Sequence, residues 1–132
     1  LITGRLIKKF GHSTIIYSGA LIYLICIFLS FYDQTFINYL IALVLLGIGW
    51  NFLFIGGTSL LVLCYQENEK FKVQGFNDVL VFSIQSIASL TAGYSILKFS
   101  WNEINLACIP LVLLIILVSI RADIHKKKII DV

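Results

Sequence analysis

The chain has 132 residues, 59% of them apolar and 13% charged, with a net charge of +3 and a mean hydropathy of +0.96. Soluble domains run to about 45–50% apolar and about 25% charged. The charges here are therefore too few to cover a water-facing surface, and both a soluble globular domain and a disordered chain are excluded. Cys26, Cys64 and Cys108 each sit inside a long uncharged run, which excludes a disulfide-stapled secreted module and marks them as small buried or lipid-facing thiols.

The chain opens with a short basic loop, GRLIKKFGH from Gly4 to His12. No secretory signal precedes the first apolar run, so targeting rests on the hydrophobic helices themselves. With no methionine and Leu1 at its head, the chain is expected to be a fragment or a trimmed product. Charges then bound four uncharged runs, Phe10 to Tyr32, Gln34 to Gln66, Val79 to Leu97 and Ile104 to Ile120, of 23, 33, 19 and 17 residues. A bilayer core about 30 Å thick needs roughly 20 helical residues, with about 17 as the lower limit. Each run thus crosses once. The expected fold is all-α integral membrane, with four transmembrane helices at about 13–32, 36–64, 75–97 and 104–121 and a cytoplasmic tail at 122–132. Barrel strands would alternate apolar and polar residues, and LVLLIILV from Leu111 to Val118 does not.

The first span is almost entirely aliphatic or aromatic, as a lipid-facing helix should be, and is expected at the periphery. The second carries Gly47, Gly49, Asn51, Gly56, Gly57, Thr58 and Ser59. At 100° per residue, Gly47, Asn51, Phe54 and Thr58 share one stripe. Its glycines have two readings, close helix packing or points of bending. Trp50 is unusual in lying mid-span, since membrane tryptophans favour interfaces. It reads first as a buried packing anchor, with an aromatic platform for a solute as the other reading.

The third span, expected to start near Gln74 or Gly75, carries Asn77, Asp78, Ser83, Gln85, Ser86, Ser89, Thr91 and Gly93. Asp78, Phe82, Gln85 and Ser89 form its stripe. An unpaired amide in hydrocarbon costs several kcal/mol, so Asn51 and Gln85 must find partners. Interhelical hydrogen bonding and solute contact remain equally open for both. Asp78 is the acidic residue closest to a span and is a functional candidate as such. About one turn inside the helix, it also reads as a carboxylate placed on the N-terminal dipole. The fourth span holds twelve Leu, Ile and Val residues, giving roughly −4 to −7 kcal/mol for insertion, enough to carry Asn105, Pro110 and Ser119. It too is expected at the periphery. Trp101, Tyr32 and Tyr39 read as an interfacial belt.

Arg5, Lys8, Lys9, Lys70, Lys72, Arg121, Lys126, Lys127 and Lys128 fall on one side of the membrane, and Lys98 on the other beside Asp33 and Glu103. The positive-inside rule makes the first side cytoplasmic, with both ends inside. The basic residues are dispersed among membrane flanks and need no nucleic-acid partner, although Lys126 to Lys128 suit anionic lipid. No zinc-protease, CxxC, dinucleotide-binding or phosphate-loop motif is present. His12 and His125 are isolated, so no metal site, no catalytic triad and no cofactor site is expected. The chain does not read as an enzyme.

GRLIKKFGH resembles the cytoplasmic loop motif of the major facilitator superfamily, with Gly4, Leu6, Lys9 and Gly11 matching and Lys8 standing where the fuller motif has an aspartate. A gating network through that aspartate is not carried over. GIGWNFLFIGGTSLL (Gly47 to Leu61) and QGFNDVLVF (Gln74 to Phe82) are similar to the tenth and eleventh helices of a bacterial branch of that superfamily. The resemblance implies that the chain is the C-terminal part of a twelve-helix bundle, helices nine to twelve, in which the tenth and eleventh line a central cavity. It further implies alternating access between two halves, a small-molecule solute, membrane lipid and the missing N-terminal helices as partners, and a location in the bacterial inner membrane. The chain alone would be inactive. Asn51, Thr58, Gln85 and Ser89 are the cavity candidates. The competing expectation is a self-contained four-helix protein, either a small multidrug exporter or a structural subunit of a larger complex. The first helix lacks the membrane glutamate such exporters carry, which lowers the exporter reading.

Overall fold

The computed structural model describes residues 2–32 and 35–130, with side chains for 3–32 and 35–121. Asp33 and the side chains of His125 and of Lys126 to Lys128 lie outside those residues. Five α-helices follow one another: α1 (Ile2–Phe10), α2 (His12–Tyr32), α3 (Phe36–Leu61), α4 (Lys70–Lys98) and α5 (Trp101–Ile130). Short 3₁₀ turns at Val62–Cys64 and Glu67–Glu69 bridge α3 to α4. Four of these helices, α2 to α5, are long and apolar enough to cross a membrane.

The opening basic segment is a helix rather than the expected loop. Ile2, Leu6, Ile7 and Phe10 recur at helical spacing, and Thr3 and Ile7 are buried on that side while Arg5, Lys8 and Lys9 are exposed. The helix stops at Gly11, whose φ of +85° suits glycine, and the Gly11 N–H donates to the Ile7 carbonyl at 2.8 Å. This left-handed cap satisfies an orphan carbonyl and turns the chain into α2.

The core lies where α2 packs antiparallel on α3, with α5 against its other flank. Ala20, Ile27 and Val112 are buried together, with Tyr23, Leu24, Leu53, Cys108, Ile109 and Ile116 around them. Three glycines set the α2–α3 approach. A Cβ at Gly19 would meet the Gly49 carbonyl oxygen at 3.0 Å, one at Gly49 the Tyr23 ring at 2.7 Å, and one at Gly56 the Ile16 side chain at 2.9 Å. Gly47 and Gly57 face open space. Of the two readings of the second span's glycines, Gly49 and Gly56 are therefore packing positions.

The first span does not lie at the edge of this bundle. It holds buried Ile15, Ile16, Gly19, Ala20, Cys26 and Ile27, whereas α4 holds no buried residue. A uniformly apolar helix is equally content against lipid or protein, so composition cannot decide which it meets. The thiols differ as well: Cys26 is buried, Cys108 half-buried and Cys64 exposed, all three unbridged.

Two helix limits also differ from expectation. α4 begins at Lys70, before Gln74, because Lys70, Phe71, Lys72 and Val73 contain no breaker, and Gln74 Nε2 donates to the Tyr65 hydroxyl at 2.6 Å to brace this turn. α5 is helical through 122–130, the stretch expected as a tail. It starts at a reciprocal cap, in which the Ser100 N–H donates to Glu103 Oε2 at 2.8 Å and the Glu103 N–H to Ser100 Oγ at 3.3 Å. This is the capping-box arrangement, which satisfies two orphan donors at once. At the same end Tyr39 and Trp101 meet edge to face at 5.5 Å.

Candidate functional site

The two stripes on α3 and α4 approach one another through their aromatic members. Phe54 and Phe82 stand 6.2 Å apart between ring centroids, and Trp50 stacks on Phe54 at 5.8 Å with planes 13° apart. Residues four apart on a helix lie one above the other, so Trp50 and Phe54 stack along α3, while the Phe82 ring of α4 meets Phe54 tilted by 51°.

Phe82 is also the first wall of an open recess of ≈ 490 Å³ on α4, completed by Gln85, Ser86, Ser89 and Leu90. Gln85 and Ser89, one turn apart, are thus brought together. The Ser86 hydroxyl is turned onto its own helix, donating to the Phe82 carbonyl at 2.7 Å. Among the described residues, Gln85 and Ser89 form no such side-chain bond. No ionisable side chain lines the recess.

The α3 candidates are placed differently. Asn51 Oδ1 accepts from the Thr3 hydroxyl at 2.6 Å, tying α1 to the middle of α3. Thr58 donates to the Phe54 carbonyl of its own helix at 2.7 Å. Neither lines the recess that holds Gln85 and Ser89. Sequence reasoning placed α1 outside the membrane as a loop and so missed Thr3. The four-residue spacing of Ile2, Leu6 and Phe10 was the available signal.

Asp78 is exposed, and its Oδ1 accepts from Asn77 Nδ2 at 3.3 Å. Because α4 starts at Lys70, Asp78 lies about two turns inside it, beyond the first turn over which the helix dipole acts. The expected dipole support is absent. Asp78 and Lys98 lie 20 residues apart on α4, about 30 Å along its axis, which is the thickness of the hydrocarbon core. The two charges therefore bracket the span.

In the basic segment, Gly4 faces open space, Leu6 is half-buried and the Lys9 ammonium lies 5.2 Å from the Phe10 ring centroid. Gly11 forms the break described above. Among the described residues, no three His, Cys, Asp or Glu side chains gather at one place. The recess presents uncharged hydrogen-bonding groups, Gln85 and Ser89, beside the Phe82 ring.

A riboflavin transporter, RfnT, of Brucella anthropi is 34% identical over 114 residues, covering 86% of this chain and 29% of the relative. Two uncharacterized MFS-type transporters of Bacillus subtilis, YddS and YdeG, are each 33% identical, covering 85% and 80% of this chain but 28% and 25% of their own lengths. The chain thus spans between a quarter and three-tenths of these curated relatives. No solved structure matches it significantly. The sequence profile of the Major Facilitator Superfamily matches residues 1–130, and with four membrane-spanning helices and transporter relatives on that same stretch, the chain belongs to that superfamily.

Proposed function

We propose that this chain is the C-terminal part of a twelve-helix secondary carrier of small solutes, working by alternating access with further helices of the same protein. The carrying observation is that the family match takes in nearly the whole chain, while the chain covers only 25–29% of its relatives. The unburied polar face of α4 supports this reading. Gln85 and Ser89 lie at mid-depth, where polar groups need water or protein rather than lipid. A second bundle facing α4 supplies that environment, and the space between the two is the solute path. In this arrangement Gln85 and Ser89 contact solute, while Asn51 and Thr58 shape the neighbouring wall. In this reading both ends lie in the cytosol, as the positive-inside rule expects, and the carrier sits in the inner membrane of a bacterium.

Solute uptake by the full-length carrier tests this. Riboflavin, the solute in the name of one relative, is the first compound to try. Gln85→Ala is expected to raise the KM for solute, and Asn51→Ala to do so less. Unchanged KM in both variants removes these residues from the site. A reporter fused after Val132 that reads periplasmic overturns the topology, and copurification of a stable stoichiometric complex without uptake would favour a structural subunit instead.

A further inference from the structure

The contacts of α1 fix its depth. Gly19 lies against Gly49 and Phe52, and Gly56 against Ile16, which sets the register of α2 on α3. Thr3 bonds to Asn51 and so lies near the depth of Gly19. At 1.5 Å per residue, α2 runs about 12 Å from Gly11 to Gly19, and α1 runs about 12 Å from Gly11 back to Thr3. The two helices therefore form a hairpin about the Gly11 turn. The apolar span of α2 begins at His12 and has 21 residues, about 31 Å, which matches the hydrocarbon core. Gly11 thus marks the boundary of that core, and the α-carbons of Lys9, Lys8 and Arg5 lie about 3, 5 and 9 Å inside it. These three residues share one face of α1 by their spacing, and all are exposed. Among the described residues, Arg5 and Lys8 have no ion-pair or hydrogen-bond partner, and the Lys9 ammonium faces the Phe10 ring. α1, α2 and α3 contain no acidic residue.

We propose that Arg5, Lys8 and Lys9 hold the phosphate of one anionic phospholipid, drawn below the level of the surrounding headgroups, with the 51% exposed Phe10 ring against the upper part of its chains. The site is on α1 and not on the recess of α4, and it does not depend on what the protein carries. The need for an anion follows from three like charges on one helix face, which repel one another and are costly in hydrocarbon until paired. Its source follows from depth. Lys8 and Lys9 reach the boundary by extending their stems, whereas Arg5 starts too far inside to leave the hydrocarbon easily, so an anion must come down to it. The anions that a bilayer holds at that boundary are lipid phosphates. The arginine fork pairs with two phosphate oxygens, and the lysines add point charges above it. A lipid with net negative charge is favoured, because the quaternary ammonium of phosphatidylcholine cancels the charge of its own phosphate.

The test titrates the full-length protein with phosphatidylglycerol and with phosphatidylcholine of the same chains, and counts retained lipid by native mass spectrometry. The unaltered protein is expected to keep one phosphatidylglycerol under activation that strips phosphatidylcholine. Arg5→Gln and Lys8→Gln should each weaken its binding by about 5-fold. Arg5→Lys keeps the charge and should lose less than Arg5→Gln, which separates a charge site from a disturbed fold. Replacing both Lys70 and Lys72 by glutamine removes two charges from the flank of α4 and should change binding by less than about 2-fold. Equal retention of the two lipids by the unaltered protein overturns the proposal without any variant. So does an equal loss in the Lys70 and Lys72 variant, which would make the effect one of general flank charge. Retention of no lipid, the result expected if an acidic side chain elsewhere in the protein already covers Arg5, overturns it as well. Inorganic phosphate that displaces phosphatidylglycerol at millimolar concentration would assign the site to a free anion and overturn the lipid.

Discussion

Replacing Gly19 by alanine puts the α2–α3 packing to a direct test. The added Cβ would lie 2.9 Å from Leu53 Cγ, 3.0 Å from the Gly49 carbonyl oxygen and 3.1 Å from Phe52 Cβ. Carbon contacts settle at about 3.5–4.0 Å, so roughly half an ångström of room is missing. Leu53 can change rotamer, but the Gly49 carbonyl and Phe52 Cβ are fixed to the α3 backbone, so the helices must separate. Overpacking of this kind costs about 1–3 kcal/mol. At Gly49 the obstruction is the Tyr23 ring and at Gly56 it is Ile16 Cγ1, side-chain atoms of α2 rather than backbone, so alanine there should cost less. At Gly47, where nothing lies within 4 Å, alanine should be neutral or stabilise by up to about 1 kcal/mol through helix propensity. Denaturant titration of the purified carrier in mixed micelles, with all four alanine variants side by side, reads the order. A Gly19→Ala protein as stable as Gly47→Ala would refute the close approach of α2 and α3.

Three further outcomes are expected. Thr3→Val and Asn51→Leu should be coupled in a double-mutant cycle by about 0.6 kcal/mol, the typical value for interhelical hydrogen bonds in membranes; additive effects would mean that the 2.6 Å bond between them contributes nothing. Ser100→Ala should lower stability by about 1 kcal/mol by removing the side-chain acceptor at the start of α5, with solute KM unchanged, and a shifted KM would contradict a purely structural cap. Gly11→Ala forces a β-carbon into a left-handed backbone at φ +85°, a cost of about 1–2 kcal/mol. It should loosen α1 from α3, seen as faster amide exchange across Ile2–Phe10, and unaltered exchange there would count against the cap.

The different fates of the polar residues show why the site was only partly legible beforehand. Gln85 and Ser89 were found by helical spacing and do share a recess, because residues one turn apart on a single helix are neighbours whatever surrounds them. Asn51 needed its partner, and that partner was Thr3, 48 positions away on a segment read as a loop. Trp50 had a packing and a platform reading in the sequence; it stacks on Phe54 yet stays 41% exposed, a property of what the other helices leave uncovered. Asp78 kept its place at the edge of the span, but the helix began earlier than Gly75 and removed the dipole from its surroundings.

Sequence by itself determined the solvent of this protein, its four crossings and the concentration of polar residues on two of them, because transfer into lipid is close to a sum over residues and 3.6 residues per turn converts spacing into faces. Only tertiary structure decided that the uniformly apolar α2 carries the core, that Gly49 and Gly56 touch it while Gly47 and Gly57 do not, and that α1 docks on α3. Those facts depend on the register between helices. A helix apolar on every side carries no asymmetry from which that register can be read.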